Sequence, residues 1–197
     1  PELWGSGQAQ AFAQLDAERE NVLAAHAACA TAGDGTVLGL RLAGLKFYWI
    51  HRGVPGLGYR LAVEALARTR ADDRSELRCR ALFDTGQMAC YMGRYREGQA
   101  HLEESLAIAR DLGNATRIAA ALQPLAMACL GQGDAASAER HLQEALELVR
   151  AQGSKHDLAA ALNAMAQVHR TRNDLDAALP LYQQVVRLFE GIVPIVA

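Results

Sequence analysis

The chain has 197 residues, 20 of them basic and 22 acidic, and a formal net charge of −2. This balance argues against direct nucleic-acid binding, which needs an excess of basic side chains to neutralise phosphates, and no apolar stretch is long enough to span a membrane. Hydrophobic residues make up 51% of the chain but aromatic residues only 6%, so Ala and Leu dominate, and the composition favours stacked helices over a sheet.

The first predicted element is a helix over residues 8–31, within an N-terminal lead-in segment of residues 1–33. Phe12, Leu15, Val22 and Ala25 recur at helical spacing and give this helix one apolar face. Because the chain starts at Pro1, we expect it to be part of a longer protein, and the missing signal peptide excludes little.

Turn-forming residues then recur at an interval of 40 residues, at Gly53, Gly93, Gly133 and Asn173. Residues that cap helix N-termini recur at the same interval, at Asp34, Asn114 and Ser154, with Asp73 displaced by one position. The segments between these signals also align: HLEESLAIARDLGN (101–114) matches HLQEALELVRAQGS (141–154). The period predicts one continuous domain of four units, 34–73 (degenerate), 74–113, 114–153 and 154–190.

Each unit is predicted to contain two helices. In the third unit, Leu122, Leu125 and Cys129 share one face of the first helix, and Ala138 and Leu142 share one face of the second. Asp134 and Asp174 are predicted to cap the second helices of the third and fourth units. Since one hairpin cannot bury both apolar stripes, the units must stack on one another. Pro124 is expected to bend the first helix of the third unit.

The units resemble tetratricopeptide repeats of the longer, 40-residue form. The third unit carries the small and large residues of that pattern most clearly, at Leu122, Leu125, Ala126, Cys129, Gly133, Ala138, Leu142 and Ala145. The first unit departs from it, with Lys46 where a small residue is expected. The resemblance implies an all-α, right-handed superhelical solenoid of helix-turn-helix repeats over about residues 34–190.

The lead-in stretch AFAQLDAERENVLAAHAAC is similar to the helix that precedes the repeats of large bacterial regulators. In those proteins a nucleotide-binding switch, a kinase or a winged DNA-binding domain is joined to helical repeats. The resemblance implies that this chain is the interaction or sensor arm of such a regulator and that it is cytoplasmic. Four cysteines without CxxC spacing fit buried free thiols in that compartment.

The last predicted helix ends before the tail 191–197, because Gly191 and Pro194 stop it. Four of its apolar residues are expected to form an uncovered edge: Tyr182, Val185, Val186 and Phe189. The tail, a second copy of the chain or further repeats are open alternatives for covering this edge. A homodimer through this terminal helix is therefore one prediction.

No residue pattern predicts a catalytic centre, and we expect no metal and no cofactor. His26 and Cys29 lie one helical turn apart, but no further ligand pair lies nearby at a usual spacing for zinc. The glycines Gly53, Gly56 and Gly58 follow a helix rather than a strand and lack a GK[ST] motif, so they indicate a turn containing Pro55 and not a phosphate site.

In tetratricopeptide repeats the first helix of each hairpin lines a concave groove. Transferring the ligand-facing positions gives a predicted peptide-binding set of Phe47, His51, Arg80, Phe83, Gln87, Tyr91, Gln123, Met127, Asn163, Gln167 and Arg170. Amides can bond the backbone of an extended peptide, and aromatic and Arg side chains often supply binding energy. Ordinary solvated groove lining is the alternative for any one of these residues.

Three functions stay open from the sequence. The leading hypothesis is a non-catalytic scaffold that binds a protein or peptide. The second is a small-molecule effector sensor, with a pocket near Phe47, Phe83 and Tyr91, that controls an attached ATPase, kinase or DNA-binding domain. The third is a helical enzyme, which would need converging titratable residues in a closed pocket.

Overall fold

The computed structural model describes residues 7–31 and 35–190, and α-helix is the only regular secondary structure in those ranges. The helices are α1 (Gln8–Ala17), α2 (Arg19–Ala28), α3 (Gly35–Ala43), α4 (Lys46–His51), α5 (Pro55–Ala67), α6 (Glu76–Tyr91), α7 (Tyr95–Asp111), α8 (Ala115–Gly131), α9 (Ala135–Gln152), α10 (Lys155–Thr171) and α11 (Leu175–Glu190). The predicted all-α class is confirmed. The predicted cap Asp34 and the tail 191–197 lie outside the described residues.

The lead-in segment is not the single helix that the sequence predicted, because the chain leaves helical geometry at Glu18 (φ −94°, ψ 3°). The break lets the two halves pack against different helices. In α1, the Phe12 ring lies 6.1 Å from the Tyr48 ring of α4. In α2, His26 is buried and its Nε2 lies 3.1 Å from Glu64 Oε2 of α5.

The first unit is irregular. Its first helix is divided at Gly44 and Leu45 into α3 and α4. The second helix begins at Pro55, so Gly58 lies inside α5 and not in the predicted turn. A Cβ atom on Gly58 would lie 2.4 Å from the Trp49 ring. Gly58 therefore lets the helix backbone pack directly on the buried Trp49 side chain.

The later units are regular hairpins, α6/α7, α8/α9 and α10/α11, joined by tight turns. All four predicted turn residues have positive φ, which glycine adopts freely and Asn tolerates: Gly53 (72°), Gly93 (76°), Gly133 (83°) and Asn173 (59°). Between hairpins, Gly113 and Gly153 also have positive φ. The 40-residue interval in the sequence is thus an interval of left-handed backbone positions.

Four predicted N-caps are present, each with a side-chain oxygen that accepts a backbone N–H three residues on: Asn114, Asp134, Ser154 and Asp174. The prediction for Asp73 is wrong. Ser75 caps α6, with Oγ accepting from Arg78 N at 3.2 Å, and Asp73 Oδ1 instead accepts from Ser75 N at 2.8 Å. Asp73 therefore stabilises the turn before the helix and not its first turn.

The hairpins stack because each core cluster joins neighbouring units. Leu102 of α7 clusters with Leu122 of α8, and Leu142 of α9 clusters with Leu162 of α10. The first helices α6, α8 and α10 also contact one another in that order. The structure is thus a solenoid in which these three helices line one continuous face. Pro124 lies inside α8.

The outer face of α11 is apolar and uncovered by the described residues. Val186 and Phe189 are exposed as predicted, whereas Tyr182 and Val185 are half-buried and Val185 packs against the core. Homodimerisation through this face stays a prediction. Among the described helices, none combines the length and the apolar character needed to cross a membrane.

Candidate functional site

An open groove of about 470 Å³ lies along the face formed by α6, α8 and α10, next to α4. It is lined by Ile50, Gln87, Cys90, Tyr91, Gln123, Pro124, Met127, Ala160, Asn163, Ala164 and Gln167. The floor is mainly apolar, and the polar groups on its walls are mostly amides. The groove extends over three successive repeats rather than forming a closed pocket inside one of them.

Six of the predicted residues line this groove, two on each helix: Gln87 and Tyr91, Gln123 and Met127, and Asn163 and Gln167. The two members of each pair are four residues apart, so they lie one above the other on the same helix face. The 40-residue period places the next pair on the next first helix. Helical spacing and repeat spacing together therefore assemble the walls.

The two phenylalanines predicted for the groove do not line it. Their rings flank the ammonium group of Lys46, whose Nζ lies 4.9 Å from the Phe47 ring centroid and 4.3 Å from that of Phe83. Tyr91 is 65% exposed and lines the groove. The small-molecule pocket predicted near these three aromatic residues is thus not one cavity.

The other three predicted residues that lie elsewhere are His51, Arg80 and Arg170. The His51 ring packs 5.4 Å from the Phe12 ring of the lead-in helix α1. Arg80 lies beside Asp84 and lines a separate cavity of about 160 Å³. Arg170 is exposed and does not line the groove.

The groove walls carry no charged side chain among the described lining residues. The four amides (Gln87, Gln123, Asn163 and Gln167) are half-buried. Within the described part of the chain, their side-chain NH2 groups donate to no protein atom. They are therefore available to a ligand, and an amide can donate one hydrogen bond and accept another along an extended backbone.

Cys90 is the nucleophile type nearest to the groove, but its environment suppresses reactivity. Burial raises the pKa of its thiol to about 11, so the side chain stays protonated at neutral pH. Over residues 7–31 and 35–190, no three His, Cys, Asp or Glu side chains come together as metal ligands. The described groove thus offers shape and hydrogen bonds rather than a reacting group.

A buried ion pair lies behind the α6 wall. Lys46 Nζ lies 2.6 Å from Asp84 Oδ1, and Lys46 also donates to Oε1 of the groove residue Gln87. Burial lowers the pKa of Lys46 and raises that of Asp84, and the charge of each partner opposes the shift of the other. The residue that breaks the small-residue pattern of the first unit is therefore bound to the groove wall.

The sequence pattern of the tetratricopeptide repeat matches the chain twice, over residues 77–151 and 117–191. The second match begins and ends 40 residues after the first, which is the interval of the positive-φ turns, and together the matches cover more than half of the chain. The chain belongs to the tetratricopeptide repeat family. No curated protein is similar enough in sequence to count as a relative.

Solved structures share this tetratricopeptide repeat fold at low sequence identity. BtubC (BKLC) from P. vanneervenii is 17% identical, with a TM-score of 0.70 over 93% of this chain and 74% of that one. The TPR domain of Arabidopsis FLU is 18% identical, with a TM-score of 0.55 over 58% of this chain and 96% of that domain. A Rap protein complexed with competence and sporulation factor is 16% identical, with a TM-score of 0.67 over 90% of this chain and 51% of that one.

Five groove residues were missed from the sequence: Ile50, Cys90, Pro124, Ala160 and Ala164. Transferring tetratricopeptide repeat positions favoured large and polar side chains, whereas these residues form the floor. Four of them lie one, three or four positions from a predicted groove residue on the same helix. Completing the helical face around each amide would have found these four.

Proposed function

We propose that this chain is a non-catalytic scaffold that binds an extended, uncharged protein segment in the groove of α6, α8 and α10. The observation that carries this proposal is the row of four half-buried amides on three successive first helices, with NH2 groups unused by the described protein atoms. An extended chain presents N–H and C=O groups at regular spacing, and amides can bond both.

The apolar floor defines the side chains that fit. Pro124, Ala160 and Ala164 are small or compact, and Met127 is adaptable, so short apolar side chains of the bound segment can be buried there. No described lining residue carries a charge that would compensate a buried charge on the ligand. The contacted stretch is therefore uncharged, and its affinity depends little on salt.

The fold and its neighbours support a binding role. Repeats of this family form extended concave surfaces, and the similar Rap structure is of a protein complexed with competence and sporulation factor. The lead-in stretch resembles the segment that precedes the repeats of large bacterial regulators. The wider proposal is that the chain is the interaction or sensor arm of a cytoplasmic regulator.

The second candidate is a small-molecule effector sensor, and one observation favours it: the groove volume of about 470 Å³ is in the range of small-ligand sites. Such sites usually enclose most of their ligand, whereas this groove is open along three helices. The open shape favours the extended segment.

The test begins with a peptide selected on the wild-type chain from a library of random unstructured peptides. Its affinity is then measured by calorimetry for the triple variant Gln87→Ala, Gln123→Ala, Asn163→Ala. We expect the triple variant to lose binding by at least about tenfold while its melting temperature stays near that of the wild type.

The matched control is Arg80→Ala, because Arg80 lies on α6 but outside the groove. Its affinity should equal that of the wild type. Equal affinity for the triple variant and the wild type would contradict the proposal. Selection of small metabolites but of no peptide, in a thermal-shift screen run in parallel, would favour the second candidate.

A further inference from the structure

The Lys46 ammonium group occupies a closed site between the first and second units. Its side chain is 7% exposed and that of Asp84 is 5% exposed. Three groups surround the ammonium: the Asp84 carboxylate at 2.6 Å, the Gln87 carbonyl oxygen, and the Phe83 ring, whose centroid is 4.3 Å away. Such complete partnering is what a buried ammonium requires.

This site fixes the direction of one groove amide. Lys has three N–H donors and no acceptor, so only the carbonyl oxygen of Gln87 can face it. The NH2 group of Gln87 is then the end left for the groove, and among the described residues it donates to none. Gln123, Asn163 and Gln167 have no such protein partner in the described chain, so either end of those amides can face a ligand.

The charged groups around the pair keep Lys46 in place. Arg80 Nε lies 4.0 Å from Asp84 Oδ2, and Arg117 also acts electrostatically on both members of the pair. Asp84 therefore carries the charge that balances Lys46, and Gln87 is free to use its carbonyl group as a neutral acceptor. The arrangement links the first unit of the solenoid to the groove wall of the second.

We infer that Lys46 is a positioning residue that makes Gln87 a fixed hydrogen-bond donor in the groove. At α6 the groove then selects a ligand group that accepts a hydrogen bond, such as a backbone carbonyl of an extended segment. A group that only donates is rejected, because it would face the NH2 group of Gln87 with no acceptor. The ligand part of this inference rests on the proposed function, whereas the amide orientation does not.

The orientation is tested on the free protein by NMR of the side-chain amides. The variant is Lys46→Met with Asp84→Leu, which replaces the ion pair by apolar side chains and avoids an unpaired buried charge. We expect the carbonyl carbon resonance of Gln87 to move and that of Gln123 to stay unchanged. Lys46→Arg alone, which keeps a cationic donor, should leave the Gln87 resonance near its wild-type position. An unmoved Gln87 resonance in the double variant overturns the inference.

The consequence is tested with the library-selected peptide in a cycle of four proteins: wild type, Lys46→Met with Asp84→Leu, Gln87→Ala, and all three changes together. Losing one fixed hydrogen bond should weaken binding by up to about tenfold in the double variant. In the Gln87→Ala background the same two changes should have no further effect. An equal loss in both backgrounds overturns the inference, because Lys46 would then act through the fold and not through Gln87.

The two parts separate the possible failures. If no library peptide binds the wild type, the proposed function fails, and the NMR measurement still decides the orientation of Gln87. If a peptide binds and the Gln87 resonance does not depend on Lys46, the proposed function stands and this inference is overturned.

Discussion

Lys46 Nζ and Asp84 Oδ1 form a 2.6 Å ion pair that is enclosed between the first two units. The pair replaces the small-residue contact that the tetratricopeptide repeat pattern has at this position. Both α3 and α4 contact α6. The most irregular unit of the solenoid is therefore joined to the regular ones by charge as well as by apolar packing.

Removing one member of this pair should destabilise the protein more than removing both. Lys46→Met leaves Asp84 buried without its partner, which we expect to lower the free energy of unfolding by about 3–5 kcal/mol. With Asp84→Leu added, apolar side chains fill the site and most of the loss should be recovered. Urea unfolding measures both. A double variant less stable than Lys46→Met would contradict the account.

Gly86 on α6 should not tolerate alanine. An added Cβ would lie 2.6 Å from Leu102 Cγ and 3.0 Å from the backbone oxygen of Gly98 on α7. Gly86→Ala should therefore cost about 1–3 kcal/mol by overpacking, although alanine is the better helix former. Gly56→Ala is the matched control: its nearest neighbour would be Met92 Sδ at 3.9 Å, so it should gain about 0.5–1 kcal/mol. Chemical denaturation of both variants checks the opposite signs.

The core of the third unit predicts a second pair of stability effects. Leu142 is fully buried in the cluster that joins α9 to α10, so Leu142→Ala should cost about 2–5 kcal/mol through the cavity it leaves. A bulky residue at Ala138, which is also fully buried, should cost about 1–3 kcal/mol. Leu179→Ala is the control, because Leu179 is 59% exposed, and its change should stay within about 0.5 kcal/mol. Comparable midpoints for all three variants would refute the packing.

Stability should fall as the pH drops below 6.5 because of two equivalent histidines. Burial lowers the pKa of His101 and of His141 below the ordinary value of 6.5. Above 6.5 both rings are neutral in the folded and unfolded chains. Below it the unfolded chain binds protons first, so the free energy of unfolding falls until the folded pKa is passed, by at most about 1.4 kcal/mol per pH unit for each ring.

The pH effect is measured by urea unfolding across this range. The double variant His101→Gln, His141→Gln should have a flatter profile than the wild type. The control is His156→Gln, because His156 is exposed on α10. A double variant with the wild-type slope would assign the effect to other groups.

The solenoid and half of the groove followed from the sequence because both depend on regular spacing. Gly93 and Gly133 were predicted as turns, and the positive φ of each explains why glycine recurs there. Gln123 and Asn163 were placed on the groove because the helical and repeat periods put equivalent residues on one face. Local and periodic constraints of this kind are visible in a single sequence.

The features that the sequence did not predict depend on contacts between distant residues. Lys46 was a misfit in the repeat pattern, because its partner Asp84 lies in the next unit and no periodicity links the two. Arg80 was assigned to the groove by its position on α6, but it turns toward Asp84. The break at Glu18 likewise depends on two separate docking contacts. Pairwise side-chain geometry decided each of these cases.

The most direct test of the account is an NMR titration of isotopically labelled protein with the library-selected peptide. The account predicts that the largest changes in chemical shift fall on the groove residues of α6, α8 and α10, including the side-chain amides of Gln123 and Asn163. Largest changes on the exposed apolar face of α11, around Leu179 and Val186, would contradict it.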